Sequence, residues 1–531
     1  MIQSYKKKYR ALDKYDVLMI GSGMGCLSAA SILAKENKRV LILERHYTAG
    51  GFTHIFKRRG YEWDVGIHYI GEVQRKNSAI KIIFDYITDC NLKWADMGDV
   101  YDKIIIGEKK YNLVKGVSNF KKQILEYFPK EEIAINKYVD LVFASNRAMK
   151  KFYMSKVFSK ILDFLIGGYY KKDYLKYSNK TTHEVLSGIT KNKKLIKVLT
   201  GQYGDYGLPP MQSSFAMHAS VVKHYFDGGS FPIGGSSKIV ETIDPIIEKN
   251  SGTIIVNAEV KSIIIDKGRA VGVKMVDGKL FYADSIISGI GIFNTYKKLI
   301  PIEIVQKHNL LSRLKMIKPS VSHGCLYIGL KGSPEDLKLP KHNLWIYPEK
   351  GSHDDCVKEY LNDINADFPL VYISFPSSKD PDWSNRYPGK STIDIITLLP
   401  YDIFTSWQNT EWMNRGEDYD NLKEAISSRL LDILFKELPH LRDKLDHYEL
   451  SSPLTTKKFV NYDRGELYGI DHTPERFSQK FLKPETEIKN FYLTGQDIVT
   501  AGVGGALFSG LLTAIAVSKK NLFKKIKNSV L

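Results

Sequence analysis

"YDVLMIGSGMGCLSAA" runs from Tyr15 to Ala30. A short, β-branched and apolar run ends in Gly21-Ser22-Gly23, and small residues open a helix behind it. Strand, glycine turn and helix in this order are how a chain wraps a dinucleotide. "RVLILE" follows as a second buried strand and ends in Glu44, 23 residues after Gly21. Gly21 permits the tight turn, and Gly23 lets the backbone approach a pyrophosphate. The first amides of the helix and its dipole favour the negative charge. Glu44 can accept hydrogen bonds from an adenosine ribose. One letter departs from the pattern, because Cys26 stands where a third glycine is usual. Cysteine is small and tolerates burial, so a packing residue is expected there, with Gly25 keeping the turn loose.

The next stretch separates two cofactors. In "ERHYTAGGFTHIFKRRGYEWDVGIHYIG" (Glu44 to Gly71), Glu44 and Arg45 lead to the glycine pair Gly50-Gly51, then to an extended segment with Asp64, Gly66 and His68. An NAD domain proceeds to another helix and strand. Paired glycines just past the ribose acid let the backbone lie along a longer cofactor, which points to FAD.

These residues resemble the FAD-dependent oxidoreductases that include phytoene desaturases, carotene cis–trans isomerases and retinol saturase. The run from Ala49 to Gly71 looks most like the retinol saturase and carotene isomerase branch. Two further segments are similar. In "FPIGGSSKIVETIDPIIEKNSGTIIVNAEVKSIIIDKGRAVGVKMVDG" (Phe231 to Gly278), Val260 stands where the family's backbone meets the adenine. In "NFYLTGQDIVTAGVGGALFSGLLTAIAVSKK" (Asn490 to Lys520), Gly495 and Asp497 follow a strand, and Gly502, Val503, Gly504 and Gly505 lead into a helix. Asp497 is placed to bind ribityl or ribose hydroxyls, and that helix terminus to favour a negatively charged flavin edge.

The resemblance implies an α/β architecture. Residues 1–80, 230–299 and 451–531 would build a discontinuous Rossmann-like FAD domain of the glutathione-reductase and amine-oxidase type. Residues 81–229 and 300–450 would build an α+β substrate domain, with the flavin ring at the junction. It also implies redox chemistry at a carbon–carbon bond of a polyene or other isoprenoid lipid, by hydride exchange at flavin N5. Saturation, desaturation and isomerisation all fit. "SGIGIFNTYKK" from Ser288 lacks the third glycine of a second fingerprint, so transient NAD(P)H or another donor would bring the electrons. Two other functions share the fold plan. Flavin amine oxidases are one, but Phe52-Thr53-His54 stands where an arginine is common in that group. Prenyl-binding escort proteins are the other, but they need not keep the turn, Glu44 and "TGQD" together.

No catalytic triad, metal cluster or defensible pair of acids is legible. Tyr206, His218 and Tyr225 precede the middle cofactor segment and are candidates for lining the substrate or handling a proton. Packing is the simpler role for each.

Composition sets the remaining bounds. The 531 residues carry 43% hydrophobic and 26% charged side chains, as a globular chain of two or three domains does. Four scattered cysteines fit a reducing compartment, and the basic N-terminus lacks the apolar core of a secretory signal. The cytoplasm, or a membrane surface facing it, is therefore expected. The net charge of +18 arrives without a nucleic-acid motif, which discounts nucleic acid; it fits either a solvated lysine-rich surface or attraction to anionic lipid. Met154, Val157, Phe158, Ile161, Leu162 and Leu165 recur at helical spacing, which predicts one amphipathic helix. Such a stripe docks on the core or lies in a membrane interface. The tail "KKNLFKKIKNSVL" mixes basic and apolar residues in the same way.

Overall fold

A computed structural model describes residues 2–530, apart from the side chain of residue 160. Its first sheet grows from the opening stretch. Lys14–Ile20 lies parallel to Val40–Leu43 on one side and to Leu280–Ser288 on the other. Thr253–Val256 and the short Gln3–Ser4 extend the parallel part outward. Beyond Leu280–Ser288, Arg269–Met275 and Val260–Asp266 continue the sheet antiparallel. Phe491–Leu493 pairs in parallel with the end of Leu280–Ser288, so the three expected cofactor segments share one sheet. The strand Val40–Leu43 is buried throughout, as a parallel strand covered on both faces must be.

Two helices cross closely on this sheet. Every residue of the helix Met24–Ala34 is buried, and Gly502–Ser518 packs against it. Small residues permit the approach: a Cβ on Gly510 would lie 2.5 Å from the Ser28 Cβ. Ser28 Oγ donates to the Leu507 carbonyl at 2.9 Å, which satisfies a hydroxyl buried between them. Gly502–Ser518 is thus a core helix, and no helix among the described residues is long and apolar enough to cross a membrane.

The second sheet has seven strands in the order Leu445–Ser451, His323–Lys331, Lys390–Leu398, Val371–Ser374, Asn343–Tyr347, Val100–Ile106 and Lys109–Val114. It is antiparallel except where Asn343–Tyr347 meets Val100–Ile106. The hairpin Ile55–Arg58 and Tyr61–Asp64 fastens the first part of the chain to it. Trp63 Nε1 donates to the Ile328 carbonyl at 3.1 Å, and the Tyr61 ring lies over Gly329. The segment after the hairpin, from Asp64 to Gly71, then runs between the two sheets.

The helix predicted across residues 154–165 is broken. One helix, Glu132–Ser155, ends, and a second, Lys160–Ser178, begins after a turn. Ser159 Oγ accepts from the Leu162 amide at 3.2 Å, which makes Ser159 the cap of a new helix rather than the middle of an old one. The stripe therefore splits. Met154 and Val157 pack on the core, whereas Ile161, Leu165 and the neighbouring Phe164 are 75%, 69% and 88% exposed. The tail forms the helix Leu522–Val530, whose Leu522 and Ile526 dock on the core.

Candidate cofactor and substrate site

A cavity of about 940 Å³ runs between the sheets. All thirteen residues expected to meet the cofactor line it: Gly21, Gly23, Gly25, Glu44, Arg45, Gly50, Gly51, Val260, Gly495, Asp497, Gly502, Val503 and Gly504. Gly21 adopts a φ of +92°, the left-handed turn that the fingerprint requires. A Cβ on Gly23 would meet nothing within 4 Å, so its backbone faces open cavity. A Cβ on Gly51 would sit 2.9 Å from the Gly23 Cα, so the glycine pair presses its loop against the phosphate turn. Glu44 organises both loops. It accepts from the Ser22 amide (2.8 Å) and hydroxyl (2.7 Å) and from the His46 amide (2.7 Å), while Ser22 Oγ in turn accepts from the Gly50 amide. Arg45 turns toward the carbonyls of Lys458 and Phe459.

Gly25 has a larger role than loosening the turn. A Cβ there would lie 2.7 Å from the Gly495 nitrogen, so this glycine lets the N-terminal turn approach the loop at Gly495. Cys26 points elsewhere. It is buried, with Sγ 3.8 Å from the Ile20 carbonyl and against Gly289. The partial second pattern at Ser288 is thus part of the same cavity, where Gly289, Ile290 and Gly291 are also wall residues.

The C-terminal loop is held partly by its carbonyls. Arg476, fully buried, donates to the Gln496 carbonyl at 2.6 Å and to the Ile470 carbonyl. Lys156 Nζ donates to the carbonyls of Ile498 (2.9 Å) and Leu482. Burial pushes the Lys156 ammonium down to about 7, with Arg476 and Lys171 adding repulsion. Asp497 accepts from the amides of Ile292 (2.8 Å) and Ile470 (3.1 Å), so each carboxylate oxygen already holds one backbone donor. The helix Gly502–Ser518 starts with no capping side chain and no acid in its first turn. An uncapped helix start and open-faced glycines offer amide donors suited to a pyrophosphate, and Glu44 and Asp497 offer acceptors for ribose or ribityl hydroxyls.

The cavity continues past the glycines into an aromatic chamber walled by Tyr69, Tyr225, Trp345, Leu370 and Tyr372. Tyr69 and Tyr225 stack at 4.2 Å with 6° between ring planes. Of the three sequence candidates, only Tyr225 reaches the wall. His218 is buried between Tyr138 (2.8 Å) and Tyr206 (3.1 Å), a packed network away from the cavity. On the other side, Ile80, Met149, Val221 and Phe523 form an apolar passage with Lys150 and Lys527 beside it.

A model of the family of flavin-containing amine oxidoreductases matches residues 27–518. The chain belongs to that family. It is also similar to all-trans-retinol 13,14-reductase of Danio rerio, with 34% identity over 97% of this chain and 87% of that one. Prolycopene isomerase 2 of an Oncidium hybrid cultivar is more distant, at 23% identity over 98% and 86%. Among solved structures, cyclohexylamine oxidase from Brevibacterium oxydans IH-35A superposes with a TM-score of 0.60 at 14% identity, covering 95% of this chain and 99% of that one. In this chain the glycine-lined turn and the aromatic chamber share one cavity.

Several residues at the chamber carry weak sequence signals. Tyr69 lay inside a quoted motif without a role. Asp205 stood beside a candidate without notice. Asp102 and Lys379 lie behind the wall, next to Tyr69, and carry no local signal.

Proposed function

We propose that the chain holds FAD along the thirteen cavity residues and reduces a carbon–carbon double bond of a polyene, with a retinoid-like alcohol as the model substrate. The observation that carries this reading is the continuity of a glycine-lined, amide-rich cradle with an apolar, aromatic chamber in one cavity. The bound cofactor would supply hydride chemistry at N5. The chain supplies the rest. Glu44 and the Gly21–Gly23 turn would fix the adenosine and pyrophosphate end. Amides of Gly502 to Gly504, backed by Arg476 and Lys156, would favour negative charge at the ring. The aromatic walls would hold the polyene and exclude water. Transient NAD(P)H or another donor would restore the electrons. In this reading the cofactor unit comprises 1–80, 230–299 and 451–531, and the substrate unit 81–229 and 300–450. The test is anaerobic: protein with photoreduced flavin is mixed with all-trans-retinol or a carotene. A product heavier by two hydrogens supports reduction; an isomer of unchanged mass replaces it with isomerisation; protein that takes up no flavin sinks both.

A peripheral contact with an anionic bilayer belongs to the same reading. Ile161, Leu165 and Tyr169 follow at i, i+4 and i+8 on an exposed helix face, with Phe164 beside them. Lys151 lies over the Tyr169 ring at 5.1 Å, and Lys150 over Phe523 at 5.3 Å. Lys172, Lys524 and Lys527 are exposed nearby in sequence. Apolar residues ringed by lysines match the chemistry of an anionic interface, and Lys150, Phe523 and Lys527 connect this surface to the cavity wall. The variant Ile161→Ser/Phe164→Ser/Leu165→Ser should lose most sedimentation with phosphatidylserine vesicles while keeping its flavin. Unchanged sedimentation would exclude this face. Concentration-dependent dimers that the variant abolishes would make it a self-contact instead.

A further inference from the structure

The Tyr69 hydroxyl lies between two carboxylates. It is 2.9 Å from Asp102 Oδ2 and 2.9 Å from Asp205 Oδ2. A phenol has one proton to donate, so it cannot donate to both. One acid must donate to the phenol oxygen, and that acid must carry a proton.

The neighbours decide which. Asp102 is fully buried and receives donors on both oxygens, Asn343 Nδ2 on Oδ1 (2.8 Å) and Gln202 Nε2 on Oδ2 (2.8 Å). The orientation of the Asn343 amide is fixed, because its oxygen accepts from the buried Lys379 ammonium, which also donates to the His68 carbonyl (2.9 Å) and Ser374 Oγ (2.7 Å). Its NH₂ therefore faces Asp102. Burial raises the Asp102 carboxyl to about 6, and its three donors oppose that rise, so Asp102 stays the more acidic of the pair. Asp205 has none of these. Among the described residues, Tyr69 is its only side-chain hydrogen-bond partner. Burial and the Asp102 charge both raise its affinity for a proton. Asp205 and Tyr69 line the aromatic chamber.

We propose that Asp205 is a stored carboxylic acid and that Tyr69 relays its proton to the polyene carbon that does not receive hydride. The proposal rests on the reading that this chamber reduces a polyene. In the step, the Tyr69 hydroxyl proton forms the new C–H bond with the π-electron pair, and the Asp205 proton moves to the phenol oxygen. The adjacent carbon would accept hydride from a reduced flavin, the two-electron donor. Two C–H bonds form, one C=C becomes a single bond, and Asp205 is left as a carboxylate until water reprotonates it. The Tyr225 stack and the Asp102 carboxylate position the phenol.

Asp205→Asn tests this, because an amide keeps the size and a donor for Tyr69 but cannot release a proton to it. The flavin-loaded variant should lose about 100-fold or more in the rate at which retinol reoxidises photoreduced flavin, the scale of a general acid. Its reoxidation by dioxygen should stay unchanged. Tyr69→Phe should show the same split. Independently of turnover, an infrared difference spectrum of wild type minus Asp205→Asn at neutral pH should contain the carbonyl band of a protonated carboxylic acid. Absence of that band, or a wild-type rate of retinol reduction in Asp205→Asn, overturns the proposal while leaving polyene reduction standing. A wild-type protein that never reduces a polyene fails the functional reading instead, and the infrared band then still decides whether Asp205 stores a proton.

Discussion

A Gly25→Ala protein is expected to purify without flavin. The added Cβ would fall 2.7 Å from the Gly495 nitrogen and 2.8 Å from its Cα, with Thr494 Oγ1 at 3.0 Å. Two of the three atoms are backbone, so no flexible side chain can swing away. The helix Met24–Ala34 must retreat from the loop that begins at Gly495, and the cavity opens where the N-terminal turn meets that loop. Overpacking of this kind costs about 1–3 kcal/mol of stability, and the cofactor should feel it more than the fold does. Absorbance of the purified protein after incubation with FAD measures the outcome. Cys26→Gly is the companion. Cys26 touches the Ile20 carbonyl and Gly289 rather than the cavity. The variant should lose roughly 1 kcal/mol through a small void and keep its flavin. Flavin in Gly25→Ala, or its loss in Cys26→Gly, would reverse the roles given to these neighbours.

Asp497→Ala should be the most destabilising single change at the site. Asp497 joins three separate stretches by accepting from Ile292 and Ile470 while sitting two residues beyond Gly495. Removing the carboxylate strands two buried amides, each costing about 1–3 kcal/mol. The sum is a sizeable share of a typical domain's stability of about 5–15 kcal/mol. Thermal unfolding should shift down by several degrees, and flavin content should fall with it. Asp497→Asn keeps one acceptor oxygen and should lie between wild type and alanine. Equal melting temperatures for all three would show that the two amides find other partners.

How much was legible follows the range of the signals. The phosphate turn, Glu44, Gly50-Gly51 and the glycines from 495 to 504 are local patterns, set by turn conformation and by the spacing from strand to helix. They could be read singly, and the cavity that they share is where those readings converge. The stripe from Met154 to Leu165 was misread because periodicity is blind to a break in phase. One serine cap at residue 159 restarts the helix and turns the second half of the stripe outward.

The sequence by itself determined the glycine turn and the acid beside it, since both act through backbone geometry within one strand–helix–strand unit. Only the tertiary structure decided what surrounds Tyr69. Asp102 comes from the edge region of the second sheet, Asp205 from a one-turn helix, Lys379 from another short helix, and Tyr69 from the segment between the sheets. None carries a local mark, because an acid's proton depends on the donors that packing places around it. Those donors lie far away along the chain.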